Sequence, residues 1–278
     1  MELANLIVKG DLNEIQTYLQ NNPTIDISIL DEYEFRCSCK NGYLEVSQWL
    51  LTIKPTTIIN AYYNGLFRQV CENGHLEVAQ WLLQVYPTIN ISANYETAFR
   101  WTCFNGHLEV AQWLLTIKPT INISANDEWV FRYACENGHL LIAQCLLSIN
   151  PTINVSVLDE YAFRYACKNG HLQLAQWLQS IKPNINISSQ NEYAFRSTCL
   201  IGHLQVAQWL QSIKPYLYVI HYNEDDSYKD YYIRLKEEAL WQQRKYPLWL
   251  ASNLTPNKNC LLYKIPQDVS RYIIQCYL

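Results

Sequence analysis

The chain has 278 residues, 49% of them hydrophobic, and a formal net charge of −4 from 21 basic and 25 acidic side chains. This length and apolar content predict a folded protein with a sizeable core, and the charge gives no basic field for nucleic acid. The apolar runs are far shorter than the roughly 20 residues that cross a bilayer, so no membrane span is expected. The first residues also lack the basic region and long apolar core of a secretory signal.

One unit is repeated along most of the chain. A glycine recurs every 32 residues without an insertion or deletion, at Gly10, Gly42, Gly74, Gly106, Gly138, Gly170 and Gly202. A fixed period of about 20–50 residues is typical of stacked repeat arrays. The sequence therefore predicts seven repeats over residues 1–215, the first a divergent cap, and a separate C-terminal segment over 216–278.

Each repeat is predicted to hold two helices. In the sixth copy, Asp159 is a suitable N-cap for the first helix, and Gly170 supplies the left-handed residue that ends it. Lys-Pro ends the second helix, and Thr-Ile-Asn-Ile-Ser crosses extended to the next repeat. The second helix has a wide apolar arc that must be buried, which in the fourth copy comprises Leu108, Val110, Ala111, Leu114, Leu115 and Ile117.

The second helix carries a family resemblance. The string Gly-His-Leu-Glu-Val-Ala-x-Trp-Leu-Leu, preceded by a helix with Ala and Cys and followed by x-Ile-Asn, resembles the ankyrin repeat. The resemblance covers residues 1–215 and implies an all-α, ankyrin-type helix-turn-helix solenoid with a C-terminal helical extension. Two features depart from the family: the period is 32 residues rather than about 33, and Glu-x-x-Phe-Arg replaces Thr-Pro-Leu-His. Similar degenerate arrays occur in large DNA viruses, and such an origin implies the cytoplasm of the host cell.

An arginine follows a phenylalanine in the first helix of six repeats. Five of these arginines have a glutamate four residues earlier, which predicts ion pairs worth about 0.2–0.5 kcal/mol each. Because the glutamates cancel most of the positive charge, we favour this structural role over an anion-binding stripe. The predicted pairs are Glu32–Arg36, Glu96–Arg100, Glu128–Arg132, Glu160–Arg164 and Glu192–Arg196.

Histidine, tryptophan and cysteine each recur at one repeat position. Equivalent residues of neighbouring repeats lie roughly 10 Å apart, too far for two histidines to share a zinc ion or for two of these cysteines to form a disulfide. We therefore expect no metal site, tryptophans packed in the core, and free buried thiols in a reducing, cytoplasmic compartment. The ladders are His75, His107, His139, His171 and His203; Trp49, Trp81, Trp113, Trp177 and Trp209; and Cys39, Cys71, Cys103, Cys135, Cys167 and Cys199.

Two positions of the first helix vary among the repeats, and in adjacent central copies they bring Trp101, Phe104 and Tyr133 together with Trp129. In proteins that resemble this one the first helix lines the concave face, which contacts partner proteins. Aromatic anchors are enriched in binding hot spots; the alternative is that these residues pack against neighbouring connections. The predicted partner-binding residues are Trp101, Phe104, Trp129, Tyr133 and Tyr165.

The repeat pattern ends after Pro215. A helix is predicted over roughly 226–244, and a last amphipathic helix within 265–278 begins at a proline with an aspartate in its first turn. Ile-Pro-x-Asp-Val-x-x-x-Ile-Ile resembles the first helix of F-box motifs and the C-terminal PRANC segment of poxvirus ankyrin proteins. The resemblance implies docking on a Skp-type adaptor of a cullin–RING ubiquitin ligase; alternatively, the helix only caps the array. The implied adaptor-binding residues are Pro266, Val269, Ile273 and Ile274.

The sequence therefore predicts a monomeric, non-catalytic module for protein–protein interaction. In one version the tail links a bound target to a ubiquitin ligase, and in the other the protein is a plain scaffold or competitive inhibitor. No cofactor, nucleic acid or membrane is expected to bind.

Overall fold

The computed structural model describes residues 2–27, 30, 32–53 and 63–214, and these ranges contain fourteen α-helices and no strand. Two consecutive helices form each repeat, which confirms the predicted all-α helical solenoid. The helices are α1 (Glu2–Lys9), α2 (Leu12–Asn21), α3 (Glu32–Lys40), α4 (Leu44–Ile53), α5 (Tyr63–Glu72), α6 (Leu76–Val85), α7 (Ala93–Phe104), α8 (Leu108–Ile117), α9 (Ala125–Glu136), α10 (Leu140–Ile149), α11 (Val157–Lys168), α12 (Leu172–Ile181), α13 (Ser189–Ile201) and α14 (Leu204–Ile213).

The chain divides into two compact units, 1–157 and 158–278. In the first unit the first helices α1, α3, α5, α7 and α9 pack side by side in chain order, and each also packs on its own second helix. In the second unit α13 packs on α14, and Thr198 Oγ1 of α13 donates a hydrogen bond to Cys167 O of α11 (3.0 Å). The helical extension predicted over 216–278 lies outside the described residues.

The repeat glycines end the first helices in the left-handed conformation that the sequence predicts, with φ between 80° and 95°. In the fourth repeat, Gly106 N–H donates to Cys103 O (3.4 Å) and His107 N–H donates to Thr102 O (3.1 Å). These bonds satisfy carbonyl groups at the helix end that have no partner within the helix. The chain can therefore turn tightly into the second helix.

The first helices of the last four repeats open with a left-handed turn that was not predicted. In α7, α9, α11 and α13, three consecutive residues have φ between 52° and 62° and ψ between 32° and 55°. Such backbone costs about 1–2 kcal/mol for each residue other than glycine. Asp159, predicted as an N-cap, is one of these residues (φ 55°, ψ 55°), so that prediction is wrong.

Two members of the arginine ladder, the set of arginines that each follow a phenylalanine in a first helix, hold this turn in place. Arg132 Nε donates to Asp127 O (2.6 Å) and its Nη2 donates to Asn126 O (3.1 Å). In the next repeat, Arg164 Nε donates in the same way to Asp159 O (2.7 Å). Both arginines are buried, and hydrogen bonds from a charged donor are stronger than neutral ones. These bonds offset part of the cost of the left-handed turn.

The predicted glutamate–arginine pairs are mostly wrong for the same reason. Of the five, the structure shows one, Glu32–Arg36, at 3.9 Å. In later repeats the glutamate lies in the left-handed turn, so it is not one regular helical turn before the arginine. Glu96 Oε1 instead accepts a hydrogen bond from Asn122 N–H in the following connection (3.4 Å). The same bond recurs in the pairs Glu128–Asn154 (3.4 Å) and Glu160–Asn186 (3.2 Å).

In the connections that follow α6, α8, α10 and α12 the chain makes a pair of turns, and these connections lack the extended crossing that was predicted. Helix α8 ends at Ile117, and Lys118 N–H donates to Leu114 O (2.9 Å). Further along, Asn122 Oδ1 accepts a hydrogen bond from Ser124 N–H (3.1 Å). An asparagine side chain that bonds the backbone two residues later forms a local turn, which shortens the connection.

The second helices fully bury about half of the predicted apolar arc, and in α8 Leu108 and Leu115 are only partly buried. In α8, Val110, Ala111 and Leu114 are at most 3% exposed, but Ile117 is 41% exposed because it stands at the end of the helix. Three members of the tryptophan ladder pack against phenylalanines of the preceding repeat, but every ladder tryptophan stays partly exposed at the edge of the core. The ring centroids lie 6.1 Å apart in Phe35–Trp81, 6.2 Å in Phe67–Trp113 and 6.1 Å in Phe163–Trp209.

Candidate functional site

The candidate site is built on the unburied side of helices α7 and α9. Helix α7 buries Ala98, Phe99 and Cys103, and α9 buries the equivalent positions. Residues three or four apart share a helix face, so the remaining face carries Trp101 with Phe104 on α7 and Trp129 with Tyr133 on α9. We call these four residues the aromatic cluster. The packing of α7 against α9 brings the two pairs together.

The rings of the aromatic cluster contact one another between the two helices. Trp101 and Phe104 meet edge to face at 4.9 Å, and Trp129 and Tyr133 lie 4.5 Å apart. Between the helices, the centroid distances are 6.4 Å for Trp101–Trp129, 6.3 Å for Phe104–Trp129 and 5.9 Å for Phe104–Tyr133. Aromatic pairs at such distances attract each other beyond simple burial, so the cluster is an ordered surface.

All four rings are partly exposed. The prediction that these four aromatic residues come together in adjacent repeats is confirmed, and their ring contacts lie between first helices. Their role in partner binding stays a prediction.

Charged groups surround the aromatic cluster. The guanidinium of Arg100 lies over the ring of Trp129, with Cζ 4.4 Å from the ring centroid, and that of Arg132 lies 5.6 Å from the ring of Tyr133. Cation–π contacts of this kind are favourable. Glu72 occupies the position of Phe104 in the preceding repeat and forms an ion pair with Arg68 (3.3 Å).

Tyr165, the fifth predicted residue, lies in the second unit. Its ring stacks on Tyr161 at 4.1 Å and lies 5.6 Å from Tyr193. Arg164 lies over the ring of Tyr193 (5.1 Å), and Lys168 Nζ lies 4.9 Å from the ring of Tyr165. The sequence analysis did not single out Tyr161 or Tyr193, although they occupy the same repeat position as Trp129.

The histidine ladder packs against the glycine turns. The ring of His139 lies over Gly106, and its Nε2 is 2.9 Å from Phe104 O. The same contact with the preceding glycine is made by His75, His107 and His203. Burial lowers the pKa of His75 and of His139, so these rings favour the neutral form. Within the described ranges, no group of three or more histidine, cysteine or acidic side chains could hold a metal ion.

The cysteine ladder is buried and free of disulfides in the described residues. Five of its members are 0% exposed, and Cys199 is 8% exposed. Burial raises the pKa of the Cys39 and Cys199 thiols to about 12, and it also raises those of the other ladder cysteines. A protonated thiol is a poor nucleophile, so this ladder has a packing role.

Two further expectations from the sequence concern the adaptor-binding residues and membrane-spanning helices. The predicted adaptor-binding residues Pro266, Val269, Ile273 and Ile274 lie outside the described residues. In the described part of the chain, no helix is long and apolar enough to cross a membrane.

Comparisons with known proteins agree with this architecture. Residues 35–127 match the family model of ankyrin repeats (3 copies). The ankyrin repeat domain of human ASB11 is similar in structure, with a TM-score of 0.50 and 15% sequence identity, and the match covers 72% of this chain and 96% of that chain. Among curated proteins, none matches this sequence. The likeness to ASB11 shows the fold alone, whereas the family match identifies ankyrin repeats, which are generally non-enzymatic protein–protein interaction modules.

Proposed function

We propose that this chain, in which residues 35–127 match ankyrin repeats, is a non-catalytic module that binds a partner protein at the aromatic cluster. The observation that supports this function is the meeting of Trp101, Phe104, Trp129 and Tyr133 on the unburied side of α7 and α9. The residues at these repeat positions vary among the copies, while the core positions hardly change. A constant core keeps the fold of each repeat, and variable residues on the exposed face let the array recognise one particular partner.

The ring contacts favour binding because the surface is already ordered. Aromatic residues are enriched in hot spots, where they bury a large area with few rotatable bonds. The conformational entropy lost on binding is smaller when the side chains are held in place beforehand. A partner that covers the aromatic cluster would therefore gain most of the hydrophobic free energy of burial.

Replacing Trp101 and Tyr133 together by alanine tests this function. We expect partner capture from the native cell to be lost in an affinity pull-down read by mass spectrometry, because two large anchors are removed. We expect the denaturant midpoint to shift little, since both rings lie outside the buried face of their helices.

The matched control is Tyr33→Ala, which removes a first-helix aromatic ring that is 62% exposed and belongs to another repeat. This variant should capture the same proteins as the unchanged chain. Equal capture by the double variant would contradict the proposed site. A large fall in its stability would instead identify the rings as core residues.

A narrower version of this function is that the chain recruits its target to a cullin–RING ubiquitin ligase. It is supported by the F-box-like and PRANC-like pattern in residues 265–278, which follows the repeat array. The alternative is a plain scaffold or competitor whose last helix serves as a cap. A viral origin and a location in the host cytoplasm also stay predictions from the resemblance.

The double change Pro266→Ala with Ile273→Asp distinguishes these versions. A charge placed in an apolar adaptor contact costs several kcal/mol, which would abolish an interaction of micromolar affinity. Co-purification of a Skp-type adaptor and cullin should then be lost while the array stays folded. If ligase association persists in this variant, the adaptor version is wrong; if stability or solubility falls instead, the last helix is a cap.

A further inference from the structure

Arg100 differs from the other ladder arginines of the first unit in what its guanidinium contacts. Arg36 pairs with Glu32, Arg68 pairs with Glu72, and Arg132 donates to the carbonyl groups of the left-handed turn. Among the described residues, nothing accepts a hydrogen bond from Arg100 or forms an ion pair with it. Among the described residues, the N–H donors of Arg100 therefore have no acceptor and its positive charge has no ion-pair partner, and this guanidinium lies beside the aromatic cluster.

The ring of Trp129 fixes the orientation of this guanidinium. Arg100 Cζ lies 4.4 Å from the ring centroid, its Nε is buried without a partner, and the residue as a whole is only partly buried. A guanidinium stacked by its flat face keeps its N–H donors directed from its edge. That planar fork matches the two oxygens of a carboxylate.

The glutamates four residues before Arg100 and four residues before Arg132 each bond a backbone N–H of the following connection. Glu96 Oε1 accepts from Asn122 N–H, and Glu128 Oε1 accepts from Asn154 N–H, both at 3.4 Å. The second oxygen of Glu128 is buried and has no partner in the described residues. Each carboxylate bonds the connection that follows its own repeat, and among the described residues neither forms an ion pair with Arg100.

We propose that Arg100 binds a carboxylate of the partner, so that the segment held at the aromatic cluster presents an aspartate or glutamate next to an apolar side chain. This inference rests on the proposed function, because it takes the aromatic cluster as the place where the partner binds. Covering the cluster removes water from Arg100, and an unpaired buried charge is strongly unfavourable. An acidic segment removes that penalty, whereas a neutral or basic one does not, and specificity follows from the difference.

A selection from displayed short random peptides tests the inference on the full chain. The peptides are fused at both ends, so that only side-chain carboxylates can act as ligands. Three baits are compared: the unchanged chain, Arg100→Gln, and the double variant Trp101→Ala with Tyr133→Ala. We expect the unchanged chain to enrich peptides with an acidic residue adjacent to an aromatic or apolar one. Arg100→Gln should lose the acidic preference, and the double variant should enrich none of these peptides.

Affinities of one enriched peptide and of its Asp→Asn or Glu→Gln form then measure the contact by fluorescence anisotropy. We expect the amide form to bind the unchanged chain roughly tenfold more weakly, as for loss of a hydrogen bond to a charged group. Arg100→Gln should bind both forms with equal affinity, and Arg100→Lys, which keeps the charge but lacks the fork, should fall between. Arg36→Gln is the matched control and should leave both affinities unchanged. The comparison of the two peptides on the unchanged chain needs no variant that might misfold.

The outcomes separate the two proposals. Enriched peptides that require Trp101 and Tyr133 but are neutral or basic would overturn the carboxylate inference and leave the proposed function standing. Peptides whose binding is insensitive to the loss of both rings would overturn the proposed function at this surface, and so would a selection that enriches nothing.

Discussion

At the scale of single residues, Gly106 is the place where the turn of one repeat meets the packing of the next. Its φ of 89° is unfavourable for any residue with a Cβ, and a Cβ built there would lie 2.6 Å from Cε1 of His139. The histidine ladder thus acts by covering glycines, while its Nε2 can bond the carbonyl group just before the turn. Glycine and histidine recur together because each position constrains the other.

Alanine at Gly106 should therefore destabilise the protein. The left-handed backbone alone costs about 1–2 kcal/mol, and the contact with His139 adds to that cost. Gly65 is the matched control, because it lies inside α5 without a positive φ and a Cβ there meets nothing within 4 Å. Gly65→Ala should stabilise by roughly 0.5–1 kcal/mol. Urea unfolding of both variants measures the difference, and equal effects would contradict the turn argument.

At the scale of elements, the two helices of a repeat depend on different features. The second helix depends on the burial of its apolar side, and the first helix depends on the left-handed turn near its start. The buried residues of α8 lie on one side, as the apolar pattern predicts. The start of α11, with Asp159 as its N-cap, was predicted wrongly, because a propensity for N-caps cannot reveal the three consecutive left-handed residues near the start of α11 and of α9. Arg132 stabilises that turn through the carbonyl groups of residues 126 and 127. The contact depends on side-chain geometry that the local pattern does not specify.

Leu114→Ala should cost roughly 2–5 kcal/mol, as is typical for removing a fully buried leucine side chain. Leu114 is 0% exposed in α8, whereas Leu141, in the neighbouring α10, is 63% exposed. Leu141→Ala should change the free energy of unfolding by less than about 0.5 kcal/mol. Denaturant melts of the two variants provide the measurement. A silent Leu114→Ala would show that the second helix does not form the core.

At the scale of the whole molecule, the core is distributed along the chain, with one set of buried residues in every repeat. Stability in such arrays comes from each repeat and from its contacts with neighbours. The cysteine ladder follows this distribution: its thiols fill equivalent small spaces in both compact units. The surface at α7 and α9 belongs to the first unit and the tyrosine group around Tyr165 to the second.

All ten cysteines should titrate as free thiols once the protein is unfolded without reductant. In the folded protein the ladder thiols should resist alkylation near neutral pH, and among the described cysteines the partly exposed Cys37 and Cys145 should react before them. Burial raises the pKa of Cys39 to about 12, whereas a thiol in an unfolded chain ionises near about 8.5. Burying the neutral Cys39 thiol therefore stabilises the fold fully below about pH 8.5. That stabilisation is lost as pH rises toward 12, because the unfolded chain then ionises its thiol while the folded chain keeps it protonated. Mass spectrometry of labelled peptides checks the assignment, and missing thiols at ladder positions would contradict it.

The sequence alone determined the repeat length, the helix pairs, the glycine turns and the buried residues of the second helix. These features depend on local conformational preference and on periodic burial, both of which are written in residue order. The sequence also placed Trp101, Phe104, Trp129 and Tyr133 in adjacent repeats, because equivalent positions of a stack are neighbours.

Only the tertiary structure determined which groups the recurring glutamates and arginines of the first helices bond. Glu96 bonds the next connection and Arg132 bonds a left-handed turn, although their spacing predicted ion pairs along one helix. The tertiary structure also shows that Arg100 stacks on Trp129 and has no acceptor among the described residues, whereas Arg36, Arg68, Arg132 and Arg164 each bond an oxygen atom. The physical reason is that a long polar side chain can reach several acceptors at similar cost. Which acceptor it bonds depends on the positions of groups from other repeats, and a local pattern does not contain them.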